Sequence, residues 1–354
     1  MPDYDLIVVG GGPSGSSAAA TAAKRGLRVL LLERDGHNRI KPCGGLLPIA
    51  ASDVVGDVFG SEIPGEVLSE PRSLGLFYVP PSGIANGGRM RNYRLTNLNR
   101  PLFDEWLRIR AESVGANVSY GAQLVNFSGR GPVKAEIIHS GGATEHVSAF
   151  GLVGADGVFS GVRTQLYGDK LRVMRVVQES WSKTEEIDDF YVILDEHLSS
   201  TYSYVIPKTE TIEIGLGLTD DELKQYPCRM ESLRTRLESM LDLSFNSRIT
   251  RNLWAIPDGF TSLGEGNVLL VGDAAGLCNP LSGEGIRLGI ESGEAAGSAV
   301  ADSIERHVGA ISVYSDFASQ LVRLVTRVYE RSSNFDNCER EKFVGAELDR
   351  ISLN

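Results

Sequence analysis

The fold class that the sequence predicts is α/β with an inserted antiparallel sheet, and three observations carry it. A short apolar run, Asp5 to Val9, empties directly into Gly10-Gly-Gly-Pro-Ser-Gly15. A second such run, Asn267 to Val271, ends at Gly272-Asp273 far downstream. Between them, extended runs in residues 170 to 256 alternate apolar and polar positions. Continuous apolar runs suit parallel strands covered on both faces, whereas alternation suits an antiparallel sheet with one covered face.

In the opening turn, Gly10, Gly12 and Gly15 supply G-x-G-x-x-G spacing. Gly10 permits the tight turn, Gly12 lets a pyrophosphate approach the backbone, and Gly15 lets the following helix pack on the strand. Pro13 precedes that helix, Ser14 to Arg25, which is rich in alanine and stopped by Gly26. Its amino end suits phosphate. The next strand, Leu27 to Leu32, ends at Glu33, about twenty residues past the glycines, where an acid accepts hydrogen bonds from a ribose. Strand, turn, helix, strand and acid together specify a dinucleotide site. Glu33 would repel a 2′-phosphate, so the tightly held nucleotide is FAD or NAD and not NADP.

Composition narrows the function classes. The 354 residues include 42% hydrophobic and 23% charged positions, ordinary globular values, and suggest two domains or one large α/β unit. A net charge of -11 argues against a nucleic-acid binder. No stretch reaches the length of a spanning helix, and the start shows no signal-peptide pattern, so a cytoplasmic protein is expected, with peripheral membrane contact left open. The four cysteines and five histidines show no metal-ligand spacing.

Further along, Lys41-Pro-Cys-Gly-Gly-Leu-Leu47 is a glycine-flanked cysteine loop, read from its residues as a turn with an inert thiol. Residues 53 to 95 read as an excursion into a second domain, with a strand over Leu74 to Val79. A helix from Asn99 to Val114 places Leu102, Phe103, Trp106 and Leu107 on one face; Arg100 at its start is either solvated or reaches cofactor phosphates or ribityl. Strands follow at 117–120, 123–127, 133–139 and 144–150, then Gly154-Ala-Asp-Gly157, where Asp156 could be a plain helix cap. A helix is expected from Asp220 to Leu241. After Asp273 a long helix to Ser303 carries Gly285, Gly289, Gly293 and Gly297 on one smooth face, suited to packing on the alanines of the first helix. A final amphipathic helix, Val313 to Tyr329, turns Val313, Phe317, Leu321, Leu324 and Val328 inward, with Arg323, Arg327 and Arg331 as a solvated face.

Three motifs in order, Gly10 to Gly15, Gly154 to Gly157 and Gly272-Asp273, resemble the FAD-dependent group that includes aromatic hydroxylases, squalene epoxidases, halogenases and geranylgeranyl reductases. Within it, Lys41-Pro-Cys-Gly-Gly45 and Gly283-Glu-Gly-Ile286 most resemble the geranylgeranyl reductase family. Tyr202-Ser-Tyr-Val-Ile-Pro-Lys208 is similar to that family's Y-x-W-x-F-P motif, with Tyr204 in place of tryptophan and Ile206 in place of phenylalanine. The resemblance implies a Rossmann-type FAD-binding domain of the p-hydroxybenzoate hydroxylase-like kind, discontinuous over 1–75, 96–170 and 257–310. An antiparallel-sheet substrate domain occupies 76–95 and 171–256, and a C-terminal helical segment 311–354.

It further implies that FAD is held by Gly10, Gly12, Pro13, Ser14, Gly15, Glu33, Arg34, Cys43, Gly44, Arg100, Leu124, Asp156, Gly157, Gly272, Asp273, Gly285 and Ile286. Catalytic candidates are Cys43 on the substrate side and Gly283, Glu284 and Gly285, where a helix start would face the flavin's N1/O2 edge. Glu284 is read as a helix-start residue, with a proton-donor role left open. Tyr202, Tyr204 and Pro207 would line the substrate cavity. Cys43 and Cys278 are either a redox-sensitive pair or two unrelated buried thiols. The activity implied is saturation of C=C bonds in an isoprenoid-like apolar substrate, with electrons from NAD(P)H or a reduced protein. The alternatives are a flavin monooxygenase and a non-enzymatic flavin redox sensor or carrier.

Overall fold

The structure, a computed structural model, describes residues 1–37, 39–332 and 335–349. The remainder of the expected C-terminal segment, 333–334 and 350–354, lies outside the described residues. The opening run forms β1 (Tyr4–Val9), the glycine turn leads into α1 (Pro13–Lys24), and β2 (Val29–Glu33) lies parallel to β1 with Leu6 opposite Val29. The chain then makes β3 (Leu46–Pro48), α2 (Ser52–Phe59) and the long hairpin of β4 (Leu68–Val79) and β5 (Gly88–Leu98). Helix α3 (Arg100–Ser113) returns it to β6 (Asn117–Tyr120), followed by β7 (Ala122–Ser128), β8 (Val133–His139), β9 (Thr144–Gly154) and α4 (Gly161–Tyr167).

A second excursion holds β10 (Val173–Ser182), β11 (Asp189–Ile193), β12 (Ser203–Pro207), β13 (Thr211–Leu218), α5 (Tyr226–Leu241) and β14 (Arg248–Pro257). The chain ends through β15 (Gly264–Glu265), β16 (Val268–Leu270), α6 (Ile286–Arg306), α7 (Ala310–Ser332) and α8 (Asn337–Asp349).

Among the described residues the strands make two eight-stranded sheets. The first runs β15-β16-β9-β1-β2-β6, parallel from β16 to β6, with β8 and then β7 attached alongside β9. Strand β9 is long enough to do two things. It pairs antiparallel with β8 up to Ala149, and from Ala149 to Gly154 it adds a parallel strand beside β1. The second sheet runs β14-β10-β13-β12-β11-β4-β5-β3 and is antiparallel except where β11 lies beside β4. Helix α5 covers one of its faces through Met230, Leu233 and Leu237. The other face looks toward α1, α6 and α8.

The second sheet takes more of the chain than the alternation pattern indicates. Strand β4 begins at Leu68, β5 ends at Leu98, and β3 pairs with β5. Pro71 and the charged residues around it hide the early part of β4 from a periodicity argument. Helix α5 starts at Tyr226 and not at Asp220, with Pro227 in its first turn, where the missing N–H costs no hydrogen bond. In α7 the buried residues are Ala310, Tyr314, Ala318 and Val325; Phe317, expected inward, is 51% exposed. The Tyr314 hydroxyl donates to the Leu270 carbonyl at 2.9 Å and sets which face turns in.

Helices α1 and α6 pack along the glycine stripe. A Cβ on Gly293 would stand 2.2 Å from the Ser14 carbonyl oxygen, and one on Gly297 2.6 Å from that of Ala18. Gly289 faces Ser14 at an ordinary 3.5 Å, while Gly285 faces Asp273 and Cys278 instead of α1. Because the obstructing atoms at Gly293 are backbone, Gly293→Ala is expected to cost about 1–3 kcal/mol in denaturant unfolding. Gly345→Ala, where nothing lies within 4 Å, should cost nothing.

Candidate active site

The amino ends of α1 and α6 open into one cavity of about 300 Å³ that continues over the inner face of the second sheet. Neither helix has a side chain capping its first turn: Gly12 caps α1 and Gly285 caps α6 with backbone alone. Both ends therefore present backbone N–H groups and the positive end of the helix dipole to the same space. Gly10, at φ +104°, brings the turn so close to the first sheet that a Cβ would stand 2.5 Å from the Ala155 carbonyl oxygen, and one on Gly15 would stand 1.8 Å from that of Gly10. At the tip of β2, Glu33 is buried and accepts from the N–H groups of Gly11 at 3.0 Å and Asp35 at 2.9 Å.

These features fit FAD. The α1 end and Glu33 suit a diphosphate and a ribose, Asp273 stands beside the α6 end, and Gly12, Pro13, Ser14, Gly157, Gly272, Asp273, Gly285 and Ile286 border the cavity. Asp273 accepts from Lys41 Nζ at 2.7 Å, which ties the cysteine loop to the second motif across 232 residues.

The cysteine loop brings Cys43 against Arg100. Arg100 is buried and forms a two-pronged pair with Asp104, Nε to Oδ1 and Nη2 to Oδ2 both at 2.9 Å, while Arg39 reaches Asp104 Oδ2 at 2.5 Å. Burial alone would raise the Cys43 thiol, but the Arg100 guanidinium, the Gly45 N–H at 3.4 Å from Sγ, and Lys41 outweigh it and lower its pKa. Cys278 behaves oppositely: burial, and then Asp273, push it well above the ordinary thiol range. Both thiols border the cavity and both are free, so two cysteines in one site have opposite charge preferences.

The remaining sequence candidates fall into two groups. Tyr202 and Tyr204 border the cavity; their hydroxyls donate to Ser282 O and to Gln178 Oε1, each at 2.7 Å, and burial raises both phenols. Gly44 and Gly283 also border it. Glu284 borders it too, with its carboxylate held by Arg287 through Nε at 2.6 Å and Nη2 at 3.1 Å.

Four others are not among the residues that border this cavity. Leu124 packs at the edge of the core under β7, Arg34 is exposed beside Asp35, and Pro207 is buried with its carbonyl accepting from Asn97. The Asp156 carboxylate turns away to accept from the Ser160 hydroxyl (2.5 Å) and the N–H groups of Gly161 (2.8 Å) and Val162 (3.1 Å). It caps α4, while its neighbours Ala155 and Gly157 border the cavity.

Sequence reasoning missed Lys208, although it directly follows the tyrosine motif. Its Nζ donates to Asn97 Oδ1 at 2.6 Å and to the Leu98 carbonyl at 3.1 Å, and burial lowers its pKa to about 8. It also missed Phe335 and Phe343, which border the cavity from the C-terminal tail and carry no motif.

A dinucleotide turn, an aspartate-tipped strand beside a second helix end, and a large inserted sheet over the cavity define an FAD-dependent oxidoreductase. A family profile described as an FAD binding domain matches residues 3–328. The geranylgeranyl diphosphate reductase of Rhodobacter capsulatus is 32% identical over 296 residues, 80% of this chain and 71% of that protein. The digeranylgeranylglycerophospholipid reductase of Methanococcus aeolicus is 27% identical over 318 residues, 86% and 78% of the two chains. In fold, a geranylgeranyl bacteriochlorophyll reductase-like protein from Thermoplasma acidophilum superposes with a TM-score of 0.81 at 23% identity, covering 97% of this chain and 91% of that one. The chain belongs to the geranylgeranyl reductase family of FAD-dependent oxidoreductases.

Two titrations follow from the site. Iodoacetamide labelling of Cys43 should show a midpoint below that of a free cysteine, and Arg100→Met should raise it; an unchanged midpoint would remove Arg100 as the cause. For Lys208, the folded pKa of about 8 lies under the ordinary 10.5, so between those values the unfolded chain binds more protons. Wild-type stability should therefore rise from pH 8 to 10.5 relative to Lys208→Met, as followed by denaturant midpoints.

Proposed function

We propose that this enzyme saturates C=C bonds in an isoprenoid-like apolar chain. The observation that carries the reading is the division of the cavity. Its charged groups, Lys41, Arg100 and Asp273 among them, gather at the α1 and α6 ends, while Leu76, Val176, Val192, Leu194 and Ile256 line the sheet side, where the polar Gln178 is occupied by the Tyr204 hydroxyl. An apolar chain placed against that sheet meets the cofactor end at Cys43, Gly44 and Gly283. The names of the relatives from R. capsulatus and M. aeolicus support the same substrate class.

Bound in this site, FAD supplies the reducing equivalents for the double bond, with the electrons coming from NAD(P)H or a reduced protein. The protein's own part is orientation, exclusion of water and placement of charge. The amino end of α6, with its uncapped N–H groups beside Gly283 to Gly285, favours negative charge at that end of the cavity. Cys43, with its lowered pKa next to Arg100, places a second charge-sensitive group where the alkene would lie. Tyr202 keeps its proton at neutral pH because burial raises the phenol, and its hydrogen bond to Ser282 orients the ring along the cavity wall.

The test is anaerobic: reduce the holoprotein with dithionite, add geranylgeranyl lipids or related isoprenoids, and follow return of the oxidised-flavin absorbance with mass analysis. Reoxidation with a gain of two mass units per saturated bond is the expected result, and Cys43→Ala should slow it at least about tenfold, ~1.4 kcal/mol in the barrier. Flavin that stays reduced until air is admitted, with oxygen then appearing in an added aromatic or alkene, would replace this reading with a monooxygenase.

A further inference from the structure

Part of the cavity is bounded by the C-terminal tail, a segment to which the chemistry above assigns no role. Helix α8 lies on the sheet face formed by Leu76, Leu95, Val192 and Leu194, with Val344 buried against them. Phe335 and Phe343 border the cavity itself. Their rings meet edge to face with centroids 5.6 Å apart, and Phe343 meets Tyr78 in the same way at 5.5 Å. Edge-to-face contacts of this kind hold aromatic rings in defined orientations.

Polar contacts along the helix keep this wall in place. Arg340 is 1% exposed and donates to three carbonyl oxygens: Nη1 to Ser199 O at 2.9 Å, Nη2 to Ser200 O at 2.7 Å and Nε to Phe335 O at 2.8 Å. Asn337 accepts from the Glu196 N–H at 2.9 Å, and Glu341 accepts from both the N–H and the hydroxyl of Ser82. Gly88 on β5 completes the seat, since a Cβ there would stand 2.9 Å from Leu348. A buried guanidinium that donates two hydrogen bonds to carbonyls of the loop before β12, and a third to the carbonyl of Phe335 in its own segment, ties the tail to the substrate sheet.

We propose that α8 is a wall of the substrate cavity and that Phe335 and Phe343 are specificity-determining residues that limit the length of apolar chain it admits. This rests on the reading that an apolar chain occupies the cavity. Replacing Phe343 by alanine removes a six-carbon ring, which opens room for about one five-carbon isoprene unit.

The test uses binding, so it does not depend on turnover. Holoprotein is titrated with prenyl alcohols of ten, fifteen, twenty and twenty-five carbons, following quenching of tryptophan fluorescence, to which the cavity-lining Trp254 contributes. Phe343→Ala is expected to shift the preference toward longer chains, changing the affinity ratio between successive lengths by at least about tenfold, as added buried methylenes would. Phe343→Trp should shift it toward shorter ones, and Phe335→Ala provides a second route should Phe343→Ala fail to fold. Variants that change affinity for every length by one common factor, or not at all, overturn the proposal while the wild type still binds. A wild type that binds none of the alcohols overturns the apolar-substrate reading itself.

Discussion

The close approach of α1 and α6 brings the two helix ends of the cavity together. Gly293 and Gly297 place the backbone of α6 directly on that of α1, at carbonyl oxygens of Ser14 and Ala18. With only the small side chains of α1 against these glycines, and the Ser17 hydroxyl donating to the Ile290 carbonyl at 2.7 Å, the two uncapped amino ends come out into one space. A bulkier interface would separate the two ends, and with them the part that suits a diphosphate from the part beside Asp273. Gly272, at φ +54° with Ser14 Oγ 2.9 Å from where its Cβ would be, belongs to the same constraint. The strand ending at Gly272-Asp273 can then deliver its acid beside α6.

Charge is distributed around this frame so that few buried ions lack a partner. Arg100 and Asp104 neutralise one another one helical turn apart, and Arg39 adds a second cation to the same carboxylate. Such buried pairs give little net stability, because desolvation offsets the attraction. Their effect is local: Arg100 stands beside Cys43 and reverses the effect of burial on its thiol. Cys278 has Asp273 as its principal charged neighbour instead, so the same burial keeps that thiol protonated. Lys208 is held by one side-chain amide and one carbonyl, and its lowered pKa follows from burial without a neutralising contact.

The second sheet extends the cavity beyond the two helix ends. Helix α5 covers one of its faces, and the cavity with α8 covers the other. Among the described residues no helix is long and apolar enough to cross a membrane. The apolar side chains that border the cavity lie between the sheet, the helix ends and the tail.

The class of fold and the cofactor were legible in the sequence because their determinants are local. A tight turn, a close helix contact and a strand-end acid each need particular residue types at fixed short spacings, as Gly10, Gly15 and Glu33 show. The stripe of glycines in α6 was legible for the same reason, since helical periodicity puts them on one face whatever they touch. What only the tertiary structure decided depends on neighbours distant in the chain. The Asp156 carboxylate is spent on the α4 N-terminus because Ser160, Gly161 and Val162 reach it first. Leu124 packs against the core and Arg34 pairs with Asp35. The opposite charge preferences of Cys43 and Cys278 arise from Arg100 and Asp273, and the wall made by Phe335 and Phe343 arises from Arg340 gripping Ser199 and Ser200 some 140 residues away. No spacing along the chain encodes such contacts, because burial and electrostatics act through space.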